Sequence, residues 1–342
     1  MPRDPLLGLN IDDYLLAGVV GIGGFGRVYL ALKRPMLMKT ALKLLSTEAL
    51  PTQLEATLGS MFSAEARALA VLQHPNVVRL LHYGVFHNRP YIVTEYIERG
   101  VTLEADIAQR AMEARPYTKD ELRELFRQLL DGLAAAHAEG IVHRDLKPGN
   151  IMLQEALGYP RLVRLLDFGL AKFLASGNES LSSAGTPEYM APEQIARESI
   201  GPWTDLYAVG IMAFELFTGR LPFASISIQE LCFNKLDPRV DPVGELGELS
   251  LPEPVLGFLR TALARDPLHR YQSVTAMRLG LQRALEAMPA TVLPRPRHPV
   301  LFSFSKPTTP VHAAPLVRPV PQESDDAFHR WLQREERRLA QR

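Results

Sequence analysis

Near Gly100 the sequence changes its periodicity, and that change constrains the fold more than any single residue does. Before it, short apolar runs are punctuated by glycine. YLLAGVV and RVYLAL flank a glycine-rich turn and TALKLL follows, a pattern of hairpin strands. Residues 52–73 read as a helix, with Leu69 and Leu72 on the face of Phe62 and Ala66, and further strands are expected at 77–84 and 91–97. After Gly100 the pattern turns to long helices. Thr118 with Glu121 forms a capping box ahead of Leu122, Leu125, Phe126, Leu129, Leu130 and Leu133, and residues 203–217, 253–264 and 273–287 are helical by spacing. A sheet-rich smaller part and a helix-rich larger part predict an α+β layout with two lobes, over residues 14–97 and 98–288.

Beyond residue 288 the regime differs again. Prolines recur without apolar periodicity over 289–321, which predicts an extended or disordered linker. Residues 322–342 read as a short amphipathic helix. Ser324 caps it, Asp325 and Asp326 occupy its first turn, and Arg337, Arg338 and Arg342 lie near its end. Its stripe of Phe328, Trp331, Leu332 and Leu339 is a candidate surface for docking on the chain itself, a second copy or a partner. Lys plus Arg and Asp plus Glu balance at 38 each over 342 residues, so charge gives no reason to expect nucleic acid or anionic membrane as partner. The single cysteine, Cys232, excludes an intramolecular disulfide framework and fits a reducing compartment. The longest apolar run, Leu206 to Phe217, is too short to span a bilayer and contains Glu215, so the expectation is a soluble, cytoplasmic chain.

Gly21-Ile22-Gly23-Gly24-Phe25-Gly26 has the G-x-G-x-x-G form, which dinucleotide-binding folds share. There the glycines open a helix, whereas here they run into the β-rich Arg27-Val28-Tyr29-Leu30. A strand–turn–strand flap without side chains lets backbone amides close over phosphates. Lys43, among apolar neighbours on the next strand, needs partners: phosphates and a helix glutamate. Glu48, Glu55 and Glu65 are candidates, and Glu65 is the choice because it is central in the expected helix. The string His143-Arg144-Asp145-Leu146-Lys147-Pro148-Gly149-Asn150 matches H-R-D-L-x-x-x-N. Asp145 can orient a hydroxyl or take its proton, Lys147 can neutralise a transferring phosphoryl group, and Asn150 can hold a cation. Asp167-Phe168-Gly169 supplies a carboxylate suited to Mg2+. Glu193 in Ala191-Pro192-Glu193 needs a buried cation, for which Arg270 is the choice, and Asp205 is expected to accept backbone hydrogen bonds from the catalytic string.

Taken in order, the glycine loop, Lys43, HRDLKPGN, DFG, GTPEYMAPE, TDLYAVG and Arg270 resemble the eukaryotic-type protein kinase family, in a bacterial serine/threonine flavour, over about residues 14–287. The resemblance implies ATP and Mg2+ in a cleft between lobes and serine or threonine of proteins as substrate. It implies Thr94 as gatekeeper, Glu95 to Ile97 as the hinge against adenine, and Val28, Ala41 and Met152 around the adenine ring. Leu69, Leu80, His143 and Phe168 would stack as an internal column. Lys147 and Thr186 favour serine/threonine over tyrosine, with Thr186 in a platform that holds an extended peptide. Ser176, Ser180, Ser182 and Ser183 are candidate autophosphorylation sites, with Arg144 as partner of the phosphate. Ser46 to Leu58 is longer than a minimal connection, and Gly149 stands where many arginine-directed members carry an acid. The competing readings are a pseudokinase scaffold and a small-molecule phosphotransferase. Against them stand the full set of Lys43, Asp145, Asn150 and Asp167, and the GTPEYMAPE platform.

Overall fold

The computed structural model describes residues 4–23, 26–45, 69–156, 159–168, 187–223, 225, 227–244, 246 and 251–288. Gly24, Phe25, Glu48, Glu55, Glu65, the serines from Ser176 to Ser183, Thr186 and the tail beyond residue 288 lie outside the described residues. The amino-terminal part is an antiparallel sheet of β1 (Asn10–Ile11), β2 (Tyr14–Gly23), β3 (Gly26–Lys33), β4 (Met38–Leu45), β5 (Leu80–Phe86) and β6 (Arg89–Glu95). Its strand order is β1-β2-β3-β4-β6-β5. Period-two alternation gives each strand two duties. Tyr29, Leu42, Leu44, Tyr91 and Val93 pack one face into a small core with Ile11, Tyr14 and Leu16. The opposite face looks toward the second lobe.

The last two strands depart from the expected bounds of 77–84 and 91–97. His87 and Asn88 both take left-handed backbone, φ 46° and 58°, so a two-residue turn fixes the hairpin between Phe86 and Arg89. Val77, expected in the strand, instead makes an isolated parallel bridge to Leu165. Val78 N–H donates to Leu165 O at 2.9 Å, which ties the sheet to the second lobe.

The second lobe carries a small sheet of β7 (Gly100–Thr102), β8 (Ile151–Ala156) and β9 (Tyr159–Leu165). Its helices are α1 (Leu103–Met112), α2 (Lys119–Ala138), α3 (Pro192–Ala196), α4 (Pro202–Thr218), α5 (Ile228–Leu236), α6 (Glu253–Ala262) and α7 (Val274–Ala287). The capping box forms: Glu121 N–H donates to Thr118 Oγ1 at 3.2 Å and Thr118 N–H donates to Glu121 Oε2 at 2.8 Å. Apolar over most of its circumference, α4 is buried along nearly its whole length. At Gly210 a Cβ would sit 2.8 Å from that of Ala262, so the glycine lets α6 approach α4 closely. The core of this lobe continues upward through Leu69, Leu72, Leu80 and Ile92. Among the described residues no helix is long and apolar enough to cross a membrane.

Candidate active site

The cleft between the lobes follows from register. Lys43 is opposite Val28 on one side and Ile92 on the other, and Ala41 is opposite Thr94. Those side chains share the face turned to the cleft, and with Val78, Leu166 and Asp167 they line it. Ile97, Met152 and Leu166 form a buried apolar floor on which Val78 packs. Val28, Ala41, Thr94, Ile97 and Met152, singled out in the sequence, are thus brought together. Val78, Ile92 and Leu166 were missed, because only strand pairing shows which apolar residues share a face with Lys43. Glu95 also sits at the cleft's edge, but its side chain is engaged elsewhere. It accepts Arg79 N–H at 2.8 Å and pairs with Arg164.

The glycine loop is seen at its two ends. Gly21 and Ile22 lie on β2 opposite Val28 and Arg27, and Gly23 faces Gly26. Gly26 has φ +137°, and a Cβ there would lie 2.1 Å from Leu44 O. Only glycine lets β3 start this close to β4.

Lys43 Nζ lies 2.8 Å from Asp167 Oδ2 in a pair that is 16% and 20% exposed. The pair spans the lobes, one charge on β4 and the other just past β9. Asp167 has φ 48°, a strained conformation that turns the chain sharply after Leu166. Phe168 is buried in the main core, and its ring packs against His143 with centroids 4.6 Å apart. Leu69 and Leu80 belong to the same core, so three of the four residues expected to stack lie in one apolar body, and His143 packs on it through Phe168.

A network of hydrogen bonds fixes the stretch His143 to Asn150. Asp205, at the first turn of α4, accepts His143 N–H at 2.8 Å and Arg144 N–H at 2.9 Å. His137 Nε2 approaches the same carboxylate at 2.7 Å. The bonds hold Arg144 at φ 63°, where the chain turns to present Asp145. His143 is buried, and burial pushes its imidazole below the usual histidine range, which keeps it neutral. One tautomer satisfies both neighbours. Nε2–H donates to Leu166 O at 2.8 Å, and Nδ1 accepts Asp145 N–H at 3.3 Å. The histidine therefore links the Asp145 loop to the residue before Asp167.

Asn150 closes the arrangement. Its Nδ2 donates to Asp145 O at 2.7 Å and to Asp145 Oδ2 at 3.0 Å. That commits the amide nitrogen and leaves the amide oxygen as the donor atom for a cation. Leu166 N–H donates to Asn150 O at 2.9 Å, which sets Asn150 beside Asp167. Lys147 Nζ lies 3.2 Å from Asp145 Oδ2. Lys43 and Asp167 share the cleft, while Asp145, Lys147 and Asn150 form one bonded unit that the Leu166–Asn150 backbone bond joins to it.

A short wall runs beside Asp145. Tyr189, Met190 and Gln194 line a small cavity with Arg144 and Asp145. Gln194 ties the wall to the loop, accepting Ala191 N–H at 3.0 Å and donating to Arg144 O at 2.8 Å. Tyr189 donates its hydroxyl proton to Glu215 Oε2 at 2.7 Å. Underneath, Arg270 grips Glu193 through two bonds of 2.9 and 2.8 Å, as the sequence suggests, with both side chains almost fully shielded.

Residues 14–279 match the family described as protein kinase domain. The chain belongs to that family. It is 37% identical over 288 residues to the serine/threonine-protein kinase Pkn1 of Myxococcus xanthus, covering 83% of this chain and 40% of Pkn1. With the serine/threonine-protein kinase PknL of Mycobacterium tuberculosis it shares 32% identity, covering 86% of this chain and 72% of PknL. With PrkC of Bacillus subtilis the identity is 32%, covering 82% of this chain and 42% of PrkC. The chain therefore spans well under half of Pkn1 and of PrkC. The crystal structure of the M. tuberculosis PknI kinase domain has the same fold, with a TM-score of 0.63, 24% identity and coverage of 82% of this chain and 100% of that one.

Protein kinases use ATP and a divalent cation, and the donor set here suits that use. Among the described residues no group of three or more His, Cys, Asp or Glu gathers as a closed metal cage. What this chain offers is one carboxylate, Asp167, and one amide oxygen, Asn150. Such a sparse oxygen set fits a hard cation that keeps water and phosphate oxygens as its other ligands.

Proposed function

We propose that the chain transfers the terminal phosphoryl group of ATP, with Mg2+, to serine or threonine hydroxyls of proteins. The observation that carries this reading is the locked Asn150–Asp145 unit, joined through the Asn150–Leu166 backbone bond to the residue before Asp167 of the Lys43–Asp167 pair. In it, Asp145 orients the acceptor hydroxyl and takes its proton, a role typically worth ~10² to 10⁴ in rate. Lys147 neutralises charge on the phosphoryl group in transit. Lys43 binds the ATP phosphates, with Glu65 as its second partner, and the amides from Gly21 to Gly26, Gly24 and Phe25 included, cover them. Thr94, the Glu95 backbone and Ile97 meet the adenine edge, and Val28, Ala41 and Met152 enclose its faces. Asn150 and Asp167 would hold Mg2+, which supplies charge neutralisation on the triphosphate when bound.

Serine and threonine as acceptors are supported by Lys147 two residues after Asp145 and by the relatives, which are named serine/threonine-protein kinases. The serines from Ser176 to Ser183 are proposed as autophosphorylation sites, and mass spectrometry that found no phosphate there on active enzyme would remove that part. The decisive test is transfer from radiolabelled ATP with Mg2+ to a generic protein substrate, followed by phosphoamino-acid analysis. Label should appear on phosphoserine or phosphothreonine with the wild type and fall ~10²-fold or more in Asp145→Asn. A folded wild type that bound ATP yet labelled no protein would leave the scaffold reading standing instead.

A further inference from the structure

One buried charge plays no part in the chemistry above. Lys235, on the last turn of α5, is 2% exposed. Its Nζ donates to three carbonyls of a single short segment: Pro187 at 3.1 Å, Glu188 at 2.6 Å and Met190 at 2.7 Å. Three donors meet three acceptors, the full capacity of an ammonium group. The rings of Tyr207 and Phe223 add their faces at 5.5 and 5.8 Å. None of these hydrogen-bond partners is a carboxylate, and burying a cation on carbonyls is costly. What the arrangement produces is the shape of residues 187–190.

That shape reaches Asp145. Tyr189 and Met190 line the small cavity beside it, and the segment runs on into Ala191, whose N–H is bound by Gln194. We infer that Lys235 is a positioning residue for the peptide substrate: by clamping three carbonyls it holds Pro187–Met190 as the wall against which the acceptor chain lies next to Asp145. The inference rests on the kinase reading above and deepens it.

The clamp needs its proton. A neutral amine has two donors and a lone pair, which would face the third carbonyl. Burial pushes Lys235 down to about 7; Glu188 and Cys232 favour the charge, and Arg270 opposes it. Asp237, Asp241, Arg260 and Arg265 face it across an adjoining cavity of about 190 Å³ that also admits water. The clamp therefore loosens as pH rises through about 7.

Lys235→Met keeps the stem and removes the donors. The expected result is a KM for a peptide substrate raised about tenfold, equivalent to ~1.4 kcal/mol of binding, with the KM for ATP unchanged. Amide exchange over residues 187–196 should quicken in the same variant. In the wild type, the peptide KM should rise from about pH 6 to about pH 8.5 while the ATP KM stays level, and the variant should lose that slope. An unchanged peptide KM, or equal changes for both substrates, overturns the inference. If Lys235→Met does not fold, the wild-type profile decides, and a flat peptide KM overturns it. A wild type that transfers no phosphoryl group refutes the kinase reading instead, and exchange still judges the clamp: rates unchanged in Lys235→Met show that it does not exist.

Discussion

Asp205→Asn separates positioning from chemistry, because Asp205 touches no reacting atom. Its carboxylate is 1% exposed and receives His143 N–H, Arg144 N–H and His137 Nε2 at 2.8, 2.9 and 2.7 Å. An asparagine keeps the shape but turns one oxygen into an NH2, which cannot accept. Whichever way the amide turns, at least one backbone N–H then faces another donor. A hydrogen bond to a charged group contributes ~1.5 to 3 kcal/mol. Arg144 is also held in left-handed backbone, at a cost of roughly 1 to 2 kcal/mol. That strain is present in both proteins and does not add to the difference, so losing the bond predicts destabilisation of about 1.5 to 3 kcal/mol, or roughly 3 to 12 °C in Tm for a lobe of this size. Asp145 is one residue beyond Arg144, and a displacement of about 1 Å there should cost ~10² in kcat. ATP affinity should stay level, since Lys43 and the cleft floor stand on other elements. The assays are thermal unfolding and steady-state phosphotransfer below the new Tm. A kcat within threefold of wild type would refute the reasoning, as it would mean that the Arg144 turn holds without its anchor.

Arg270→Met should destabilise by ~3 to 5 kcal/mol, because it leaves Glu193 buried without its cation. Denaturant titration of the single variants and of Arg270→Met with Glu193→Leu checks this, and purely additive losses would argue against a coupled pair. Gly26→Ala should raise the KM for ATP and lower Tm by several degrees, since its Cβ would meet Leu44 O; kinetics and unfolding equal to wild type would show that β3 can shift freely. Burial pushes Glu215 up to about 7. A raised folded value means that the stabilising contribution is complete below the ordinary glutamate range and is lost as pH rises through about 7. The Tm of wild type should accordingly fall relative to Glu215→Gln from about pH 5 to about pH 8, and parallel curves would refute the assignment.

The fold was legible where local chemistry and burial agree. The capping box of α2 and the apolar spacing behind it placed that helix, and the glycines before a β-rich run placed β2 and β3. The Glu193–Arg270 pair was readable because a buried acid in an apolar context needs a cation. Legibility failed where buried charges stand outside any motif. On α1, Asp106 and Arg110 are 4% and 3% exposed and bind each other, and Arg110 stacks on Tyr117 at 4.0 Å. That polar inner face breaks the apolar stripe by which helices are recognised. Lys235 escaped for the same reason, since a lone lysine on a short helix reads as a solvated charge. The cleft walls Val78, Ile92 and Leu166 carry no chemical mark, and only strand register singles them out.

The Lys43–Asp167 pair shows why such a cleft can be both stable and ready to bind. Each charge already has an opposite partner at 2.8 Å across the lobes, so neither stands bare in a partly buried site. A triphosphate with its cation offers Lys43 an anionic oxygen and Asp167 a positive charge, and each exchanges one favourable partner for another. Binding then needs little fresh desolvation of either group, which is the dominant cost for buried ions. The same pairing couples the two residues: on the proposed assignment, removing Lys43 takes its charge from beside Asp167 and would weaken the cation site as well as the phosphate site. The backbone of Asn150 joins Leu166 to the Asp145 loop, so a change in the pair also reaches the acceptor side. On the proposed assignment, phosphate, cation and hydroxyl would be read by one connected set of groups, and the hairpin of β8 and β9 is the element that connects them.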